Sequence, residues 1–309
     1  MAYLLLTLTV LFWAGNFVVA KLIHADLPPI LLAFSRWALA WVLILPFWIP
    51  KARKQWPLIK QHWKILALLG IVGVASFNTL IYTGLQSTTA TNAALLQSII
   101  PVLILLICAL VLSEPVSGRQ WCGVLASMAG VALLISHGEP ERLLELQIGT
   151  GDLWISAAVV SWAAYSVLLR YKPAELGGFV MFGCTVSVAI VGLLPLVVWE
   201  WHQLDQTVQW STEVLAVIGY VALFPSILSY IFWNRGVAEL GAARAGLFIH
   251  LLPLFGIGLS VMILGESVYL YHLVGMCLVF SGIYLATAST QRSREQAEAA
   301  RRETPGHSS

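Results

Sequence analysis

The chain has 309 residues, of which 59% are hydrophobic and 10% are charged, and its mean hydropathy is +0.84. A soluble domain carries roughly 25% charged residues, so this composition excludes a water-soluble globular protein and predicts that lipid is the main solvent. All four cysteines fall within apolar stretches, which favours a packing role over a disulfide framework.

Ten stretches of about 20 mostly apolar residues predict ten transmembrane helices. In chain order they cover residues 2–22, 29–49, 64–85, 90–112, 118–137, 151–170, 177–199, 212–236, 241–264 and 270–289. The first lacks a basic leader and a convincing cleavage site, which indicates an uncleaved helix rather than a signal peptide. Residues 138–150 are predicted to form an outer, periplasmic connector, and the polar residues 290–309 a disordered cytoplasmic tail.

The Lys and Arg residues predict the orientation. With the N-terminus in the cytoplasm, 14 of the 17 basic residues fall on the cytoplasmic side. Only Lys21 and Arg142 fall on the outer side, and Arg36 lies within a span. Because cytoplasmic loops are enriched in basic residues, this bias predicts that the N- and C-termini are both cytoplasmic.

The two halves of the chain match each other at constant offsets. At an offset of 149 residues, Lys21 matches Arg170, and two pairs of identical residues occur: Trp13 with Trp162 and Pro46 with Pro195. At 152 residues, the identical pairs are Gly84 with Gly236, Ala90 with Ala242, Pro101 with Pro253, Glu114 with Glu266, Gly123 with Gly275 and Gly130 with Gly282. Five spans per half place the second half upside down, and the loop charges reverse accordingly. The pattern predicts two inverted five-helix repeats, residues 1–137 and 151–289, an arrangement typical of secondary transporters.

Several segments carry a family resemblance: FWAGNFVVAK at 12–21, LLAFSRWALA at 31–40, GTGDLWISAAVVSWAAYSVLLR at 149–170 and the duplicated blocks around Pro101 and Pro253. Nearly all of residues 4–288 resembles the EamA-type transporters of the drug/metabolite transporter superfamily. One departure is Ala14, where the family often has Gly. The resemblance implies a ten-helix fold, export or exchange of small metabolites, and a central cavity bounded by helices 1–4 and 6–9. It does not name the cargo.

Pro101 and Pro253 sit near the middle of the fourth and ninth spans. A mid-helix proline removes a backbone hydrogen bond and bends the helix. Two symmetric bends at mid-membrane predict that these prolines shape the cavity or act as hinges, and a packing kink is the alternative.

Two titratable residues within spans are candidates for function. Arg36 either faces a polar interior, where its guanidinium would suit a carboxylate or phosphate, or snorkels to the outer surface. His250 precedes Pro253 by one turn and matches Ser98, which lies beside Gln97. This recurrence indicates a cavity-lining residue with a role in proton coupling, and a satisfied packing histidine is the alternative.

The remaining predicted substrate-binding residues are polar or aromatic side chains at matching heights in the two halves. They are Trp13, Asn16, Asn78, Tyr82, Gln97, Trp162, Tyr165 and Tyr230. Asparagine within a span needs a hydrogen-bond partner, so Asn16, Asn78 and Tyr82 carry more weight than the tryptophans.

The sequence and the resemblance therefore predict a secondary active transporter in a bacterial inner membrane that exports small metabolites by alternating access, with amino acids or amino-acid-like compounds as the favoured class. The alternatives are a membrane-embedded enzyme acting on lipid or isoprenoid substrates and a passive channel. The sequence contains no Walker A motif, metal-ligand cluster or convincing catalytic triad, so we expect no enzyme activity, cofactor or nucleic-acid partner. The expected partners are a small-molecule substrate and the lipid bilayer, and the expected state is a monomer or weak homodimer.

Overall fold

The computed structural model describes residues 1–23, 27–114, 116–143, 149–204, 208, 210–264 and 269–303. Side chains at 17–18, 20–23, 90–91, 140, 142, 260, 263–264 and 288–303 are outside this description. All regular secondary structure in these ranges is helical. Residues 144–148 of the predicted connector and 304–309 of the predicted tail lie outside the described residues.

The long helical segments are numbered in chain order. They are α1 Ala2–Ile23, α2 Pro29–Lys54, α3 Trp63–Leu85, α4 90–111, α5 Gly118–Ile135, α6 Thr150–Tyr171, α7 Gly178–His202, α8 Thr212–Leu240, α9 242–264 and α10 Leu270–Glu303. A short helix, Trp56–Gln61, and a 3-10 turn, Pro140–Leu143, lie in connections.

Within the described ranges, nine of these segments, α2 to α10, are long and apolar enough to cross a membrane. Helix α1 has 22 residues, but its continuous run of described side chains, Ala2–Asn16, is shorter than a span. The expectation of a multi-pass helical membrane protein is thereby confirmed, and a tenth span remains a prediction.

The last helix is longer than expected. We predicted that the final span ends near 289 and that a disordered tail follows, whereas α10 continues to Glu303. The added residues are rich in Ala, Glu, Gln and Arg, which have high intrinsic helix propensity.

Helices α5 and α10 pack at close range through glycines. A Cβ atom at Gly123 would lie 2.5 Å from the carbonyl oxygen of Gly282, and one at Gly130 would lie 2.7 Å from that of Gly275. In lipid, where apolar surface provides no driving force between helices, small residues permit this close approach. Each of these α5 glycines meets the sequence counterpart of the other, since Gly282 matches Gly130 and Gly275 matches Gly123.

The ends of the helices define two faces of the bundle. Gln55, after α2, accepts a hydrogen bond from the Gly177 amide ahead of α7 at 3.0 Å. The ammonium of Lys51 lies 5.0 Å from the ring centroid of Phe179. We call this end, where α6 also finishes, the Arg170 face. The opposite end, where α6 begins, is the Asp152 face.

At the Asp152 face, Glu200 caps α2. Its carboxylate accepts hydrogen bonds from the amides of Ile30 and Leu31 at 3.1 and 2.7 Å. The first amides of a helix lack partners within the helix, and a negative group there is favourable. This contact ties α2 to α7 and fixes the depth at which α2 presents Arg36.

Helices α3 and α8 each contain a π-helical segment, Gly70–Ser76 and Ala222–Leu228. The second begins 152 residues after the first, which is the offset of the sequence matches. Pro225 lies within the α8 segment and cannot donate a backbone hydrogen bond.

Serine hydroxyls restore hydrogen bonds in this part of α8. Ser226 donates to the carbonyl oxygen of Val221 at 2.6 Å, and Ser229 donates to that of Phe224 at 2.9 Å. Backbone carbonyls inside a membrane need such partners. The altered winding therefore brings the Ser226 hydroxyl into the bundle, where it serves the site described below.

Both predicted mid-helix prolines coincide with irregular helix geometry. In α4, one α-helical stretch ends at Gln97 and the next begins at Ile100, just before Pro101. In α9, a 3-10 turn, Phe248–Leu251, precedes Pro253. Whether these positions act as hinges remains a prediction.

Candidate functional site

Arg36 is a deeply buried cation of the bundle, with 1% of its surface exposed. Its Nε donates to Ser226 Oγ at 2.8 Å, and its Nη1 donates to Asn78 Oδ1 at 2.9 Å and Tyr82 Oη at 2.6 Å. The guanidinium thus points into the bundle rather than toward a membrane surface. Among the described residues, no Asp or Glu forms an ion pair with it.

Arg36 determines the direction of the hydrogen bonds around it, because a guanidinium can only donate. Asn78 must accept through Oδ1, so its Nδ2 donates to Tyr230 Oη at 3.0 Å. Tyr230 in turn donates to the Gly73 carbonyl at 2.7 Å, within the π-helical segment of α3.

The same reasoning fixes Tyr82 and Asn16. Tyr82 accepts from Arg36 and therefore directs its own proton to Asn16 Oδ1 at 3.1 Å. The amide oxygens of both Asn16 and Asn78 are consequently occupied by partners within the protein. This polarised set ties α1, α2, α3 and α8 together around one positive charge.

A second tyrosine–asparagine pair occupies the equivalent position in the other half. Tyr165 donates to Asn234 Oδ1 at 2.7 Å. Tyr165 is the counterpart of Asn16 at an offset of 149 residues, and Asn234 is the counterpart of Tyr82 at an offset of 152. The tyrosine and the asparagine have therefore exchanged positions between the two halves. At the position 149 residues after Arg36 the chain has Thr185, so the charge occurs on one side only.

A small cavity of about 30 Å³, here called the central chamber, lies beside Arg36. It is lined by Trp13, Asn16, Arg36, Phe77, Asn78, Ile81, Gln97, Ile100, Trp162, Ile249 and Leu252. A cavity of this volume holds about two water molecules, so a metabolite requires the chamber to widen.

A larger cavity of about 710 Å³, here called the vestibule, opens at the Arg170 face. Its walls come from the ends of α4, α6 and α8 and the starts of α7 and α9. Ser166 and Asn234 line it, and an ion pair between Arg170 and Glu114, with a 2.7 Å separation, also borders it. Binding sites for small molecules usually measure 300–1,000 Å³, so the vestibule can admit a metabolite.

An aromatic cluster continues from the rings that line the central chamber. It consists of Trp13, Trp162, Tyr165, Tyr230 and Trp233, whose ring centroids lie 5.0–6.1 Å apart along the cluster. On α6, Trp162 borders the central chamber and Ser166, one turn later, borders the vestibule. The cluster thus extends along α6 from the chamber toward the vestibule.

Helices α3, α4 and α6 are held together at the Asp152 face. The Asp152 carboxylate accepts hydrogen bonds from the Thr88 hydroxyl, from Asn92 Nδ2 at 3.3 Å and from the Gly149 amide at 2.7 Å. The backbones of α3 and α6 also touch there, because a Cβ atom at Gly151 would lie 2.6 Å from the Gly84 carbonyl oxygen. In the described part of the chain, the vestibule therefore opens at the Arg170 face, whereas α3, α4 and α6 are packed together at the Asp152 face.

His250 lies outside the central chamber. It is buried, its Nδ1 contacts the Ser127 hydroxyl, and its Nε2 lies 2.9 Å from the Ser98 carbonyl oxygen. Because a carbonyl only accepts, Nε2 carries the proton and Nδ1 accepts from Ser127. Both ring nitrogens are engaged, an arrangement that favours the packing interpretation. Pro253 borders a small gap beside it together with Gln97.

The structure brings together most of the predicted binding residues. Arg36, Asn16, Asn78, Tyr82 and Tyr230 form one hydrogen-bonded network, and Trp13, Trp162 and Gln97 border the chamber beside it. Tyr165 belongs to the aromatic cluster and donates to Asn234, which lines the vestibule, while His250 and the two prolines stand apart.

Sequence reasoning did not select Ser166, Ser226 or the vestibule. Ser226 follows Pro225, and a serine after a mid-helix proline is a signal that could have been used. Ser166 follows Trp162 by four residues and so shares its helix face. The vestibule depends on how five helix ends diverge, which no local pattern encodes.

Comparison with known proteins gives consistent matches. A family model described as the EamA-like transporter family matches residues 1–136 and 149–288. The uncharacterized transporter YyaM of Bacillus subtilis is 30% identical over 71% of this chain and 72% of its own length. A probable terminal-alkyne amino-acid exporter of Streptantibioticus cattleyicolor is 28% identical over 78% of this chain and 77% of its own. A solved crystal structure with 22% identity has a TM-score of 0.72 and shares the fold over 94% of this chain and 98% of that one.

Proposed function

Because the chain belongs to the EamA-like transporter family, we propose that it is a secondary active transporter that exports small metabolites by alternating access. The resemblance predicted from the motifs is confirmed. The observation that carries the proposal is Arg36, a buried charge beside a small chamber, in a bundle that also has a wide vestibule at one face. Charged side chains inside membranes are costly and usually serve a substrate or ion pathway.

The proposed architecture is ten spans in two inverted repeats. One family model matches both halves, which supports duplication. Three contacts join matched positions of the two halves: Trp13 with Trp162, Asn78 with Tyr230, and Ser98 with His250. Residues that touch their own counterparts are expected along the pseudo-two-fold axis that relates inverted repeats.

We place the Arg170 face in the cytoplasm of a bacterial cell, with the inner membrane as the location. The charge distribution supports this, since basic residues from the end of α2 and the end of α6 share that face. In this orientation the vestibule is open to the cytoplasm, as an exporter awaiting cargo requires.

The proposed cargo is an amino acid or an amino-acid-like compound. The Arg36 guanidinium can bind a planar carboxylate in a bidentate manner, and Nη2 has no hydrogen-bond partner among the described residues. The aromatic rings beside it offer apolar surface for a side chain. That one relative is named a probable amino-acid exporter also supports this class.

Energy would come from the cargo gradient or from proton coupling through His250. With both ring nitrogens already bonded, we expect His250→Gln to leave the pH dependence of transport unchanged, with Ser127→Ala as the matched control. The measurement is the initial rate of counterflow between pH 5.5 and 8 in both variants. A flattened profile for the histidine variant alone would establish coupling.

The proposed function is tested by counterflow in proteoliposomes containing the purified full-length chain. We expect saturable uptake of labelled cargo that accelerates when unlabelled cargo is loaded inside, because a carrier returns faster when occupied. A passive channel gives no such acceleration. In cells, overexpression is expected to raise tolerance to the cargo and deletion to lower it; no change for any amino-acid-like compound tells against the exporter function.

A further inference from the structure

The polar groups around the central chamber are arranged to donate hydrogen bonds. Asn16 and Asn78 have their side-chain oxygens occupied by Tyr82 and Arg36. Among the described lining residues, Gln97 alone has a side-chain carbonyl oxygen without such a partner, since its Nε2 donates to the Ala93 carbonyl. No described lining residue of the chamber is an Asp or Glu.

Further hydrogen-bond donors lie in and beside the aromatic cluster. Four buried polar atoms along α6 and α8 have no hydrogen-bond partner within the described part of the chain: Trp162 Nε1, Ser166 Oγ, Trp233 Nε1 and Asn234 Nδ2. Three of them can only donate, and the serine can do either. Unpaired buried donors are costly, and in native proteins each requires an explanation. A passing group that only accepts hydrogen bonds would satisfy them in turn.

We propose that the cargo is a monoanion, namely a small organic carboxylate without a free ammonium group, such as an N-acylated amino acid or a 2-oxo acid, and that the membrane potential drives its export. This inference rests on the proposed function and narrows its substrate class to amino-acid-like carboxylates, so that free amino acids are excluded. The reason is the charge of the loaded site, argued next.

Arg36 gives the empty chamber a charge of +1, with no described acidic residue to offset it. A monoanion makes the loaded site neutral, a zwitterion leaves it at +1, and a cation raises it to +2. Uncompensated charge is strongly unfavourable at mid-membrane. A zwitterion would also place its ammonium near the guanidinium with one side-chain carbonyl, that of Gln97, to receive it.

The same charges define the driving force. Export of a monoanion by a carrier that returns empty moves one negative charge outward per cycle. An inside-negative potential favours this movement, and each 59 mV supports about a tenfold concentration ratio for one charge. The cycle needs no proton, which agrees with the engaged ring nitrogens of His250.

The test uses the wild-type protein in proteoliposomes and three matched forms of each cargo. The probes are N-acetyl-L-leucine, L-leucine and L-leucinamide, with the corresponding phenylalanine and threonine series, and protein-free liposomes as the control. We expect counterflow of the acetylated form to exceed that of the zwitterion at least tenfold, and the cationic amide to be inactive. An inside-negative potassium diffusion potential should accelerate efflux of the acetylated form, and an imposed pH gradient should not.

The outcomes separate the two proposals. If the zwitterion is carried as well as or better than the acetylated form, or if efflux ignores the potential, the monoanion inference is overturned while the exporter function stands. If no form in any series shows counterflow, the proposed function itself fails, and the inference fails with it.

Discussion

Replacing Arg36 with Gln is expected to reduce transport about 100-fold. Removing one partner of a buried charged interaction costs about 3 kcal/mol, which corresponds to roughly a 100-fold change. The substitution removes both the positive charge that receives the cargo and the donor that orients Asn78 and Tyr82. The measurement is the initial rate of counterflow per milligram of protein incorporated.

Three further variants separate the effect of the Arg36 charge from the effect of its hydrogen-bonded network. Arg36→Lys keeps the charge but cannot form the planar two-pronged contact, so an intermediate rate is expected. Ser226→Ala removes one acceptor of Arg36 and leaves the charge, so a loss of only a few-fold is expected. Arg119→Gln changes an exposed arginine at the start of α5 and is expected to behave as wild type.

A folding defect would also lower transport by the Arg36 variants, and it can be recognised from their stability. If the glutamine variant elutes as aggregate or melts far below wild type, the network is needed for folding, and Arg36→Lys then becomes the decisive variant. A glutamine variant that is well folded and fully active would remove Arg36 from the binding site.

The residues around Arg36 could be predicted because two independent patterns converge on them. Hydropathy predicts the depth of each residue along its helix in the membrane. The offsets of 149 and 152 residues then pair positions of the two halves that lie at similar depth. Asn78 and Tyr230, matched by sequence alone, are joined by a hydrogen bond. Such pairing follows when a duplicated chain folds around an axis, since counterpart residues near the axis must meet.

Other features of the site depend on tertiary geometry that a linear pattern does not contain. The π-helical winding around Pro225 turns Ser226 toward Arg36, and hydropathy is insensitive to that rotation. His250 has a functional sequence context, but the bend before Pro253 directs it to Ser98 and Ser127 instead of the chamber. The position of the vestibule reflects which face is open, which is a property of the conformation rather than of any segment.

The second large effect on transport is expected from Gly151→Ala, because Gly151 lies where α3 and α6 touch at the Asp152 face. A Cβ atom at Gly151 would lie 2.6 Å from the Gly84 carbonyl oxygen and 2.7 Å from the backbone of Ser87 and Thr88. Backbone atoms cannot move aside as a flexible side chain can, so α3 and α6 must separate. Overpacking of this kind costs about 1–3 kcal/mol, enough to shift a two-state equilibrium roughly tenfold.

Alternating access predicts what that shift does at the opposite end. If the two faces open in turn, forcing the Asp152 face apart should close the vestibule at the Arg170 face. In a cysteine-free background, a thiol introduced by Ile231→Cys in the vestibule should react about tenfold more slowly with a water-soluble reagent when Gly151→Ala is present. A thiol introduced by Ile81→Cys in the central chamber should react faster.

The matched control for this experiment is Gly149→Ala, two residues away. A Cβ atom there would meet no atom closer than 3.9 Å, and the amide that donates to Asp152 is retained. This variant should label and transport as wild type, so a difference between the two alanine variants isolates the contact with α3. If instead Gly151→Ala opens the Asp152 face while the Ile231→Cys thiol stays reactive, both faces are open together. The conformations would then not alternate, and the chain would conduct as a channel.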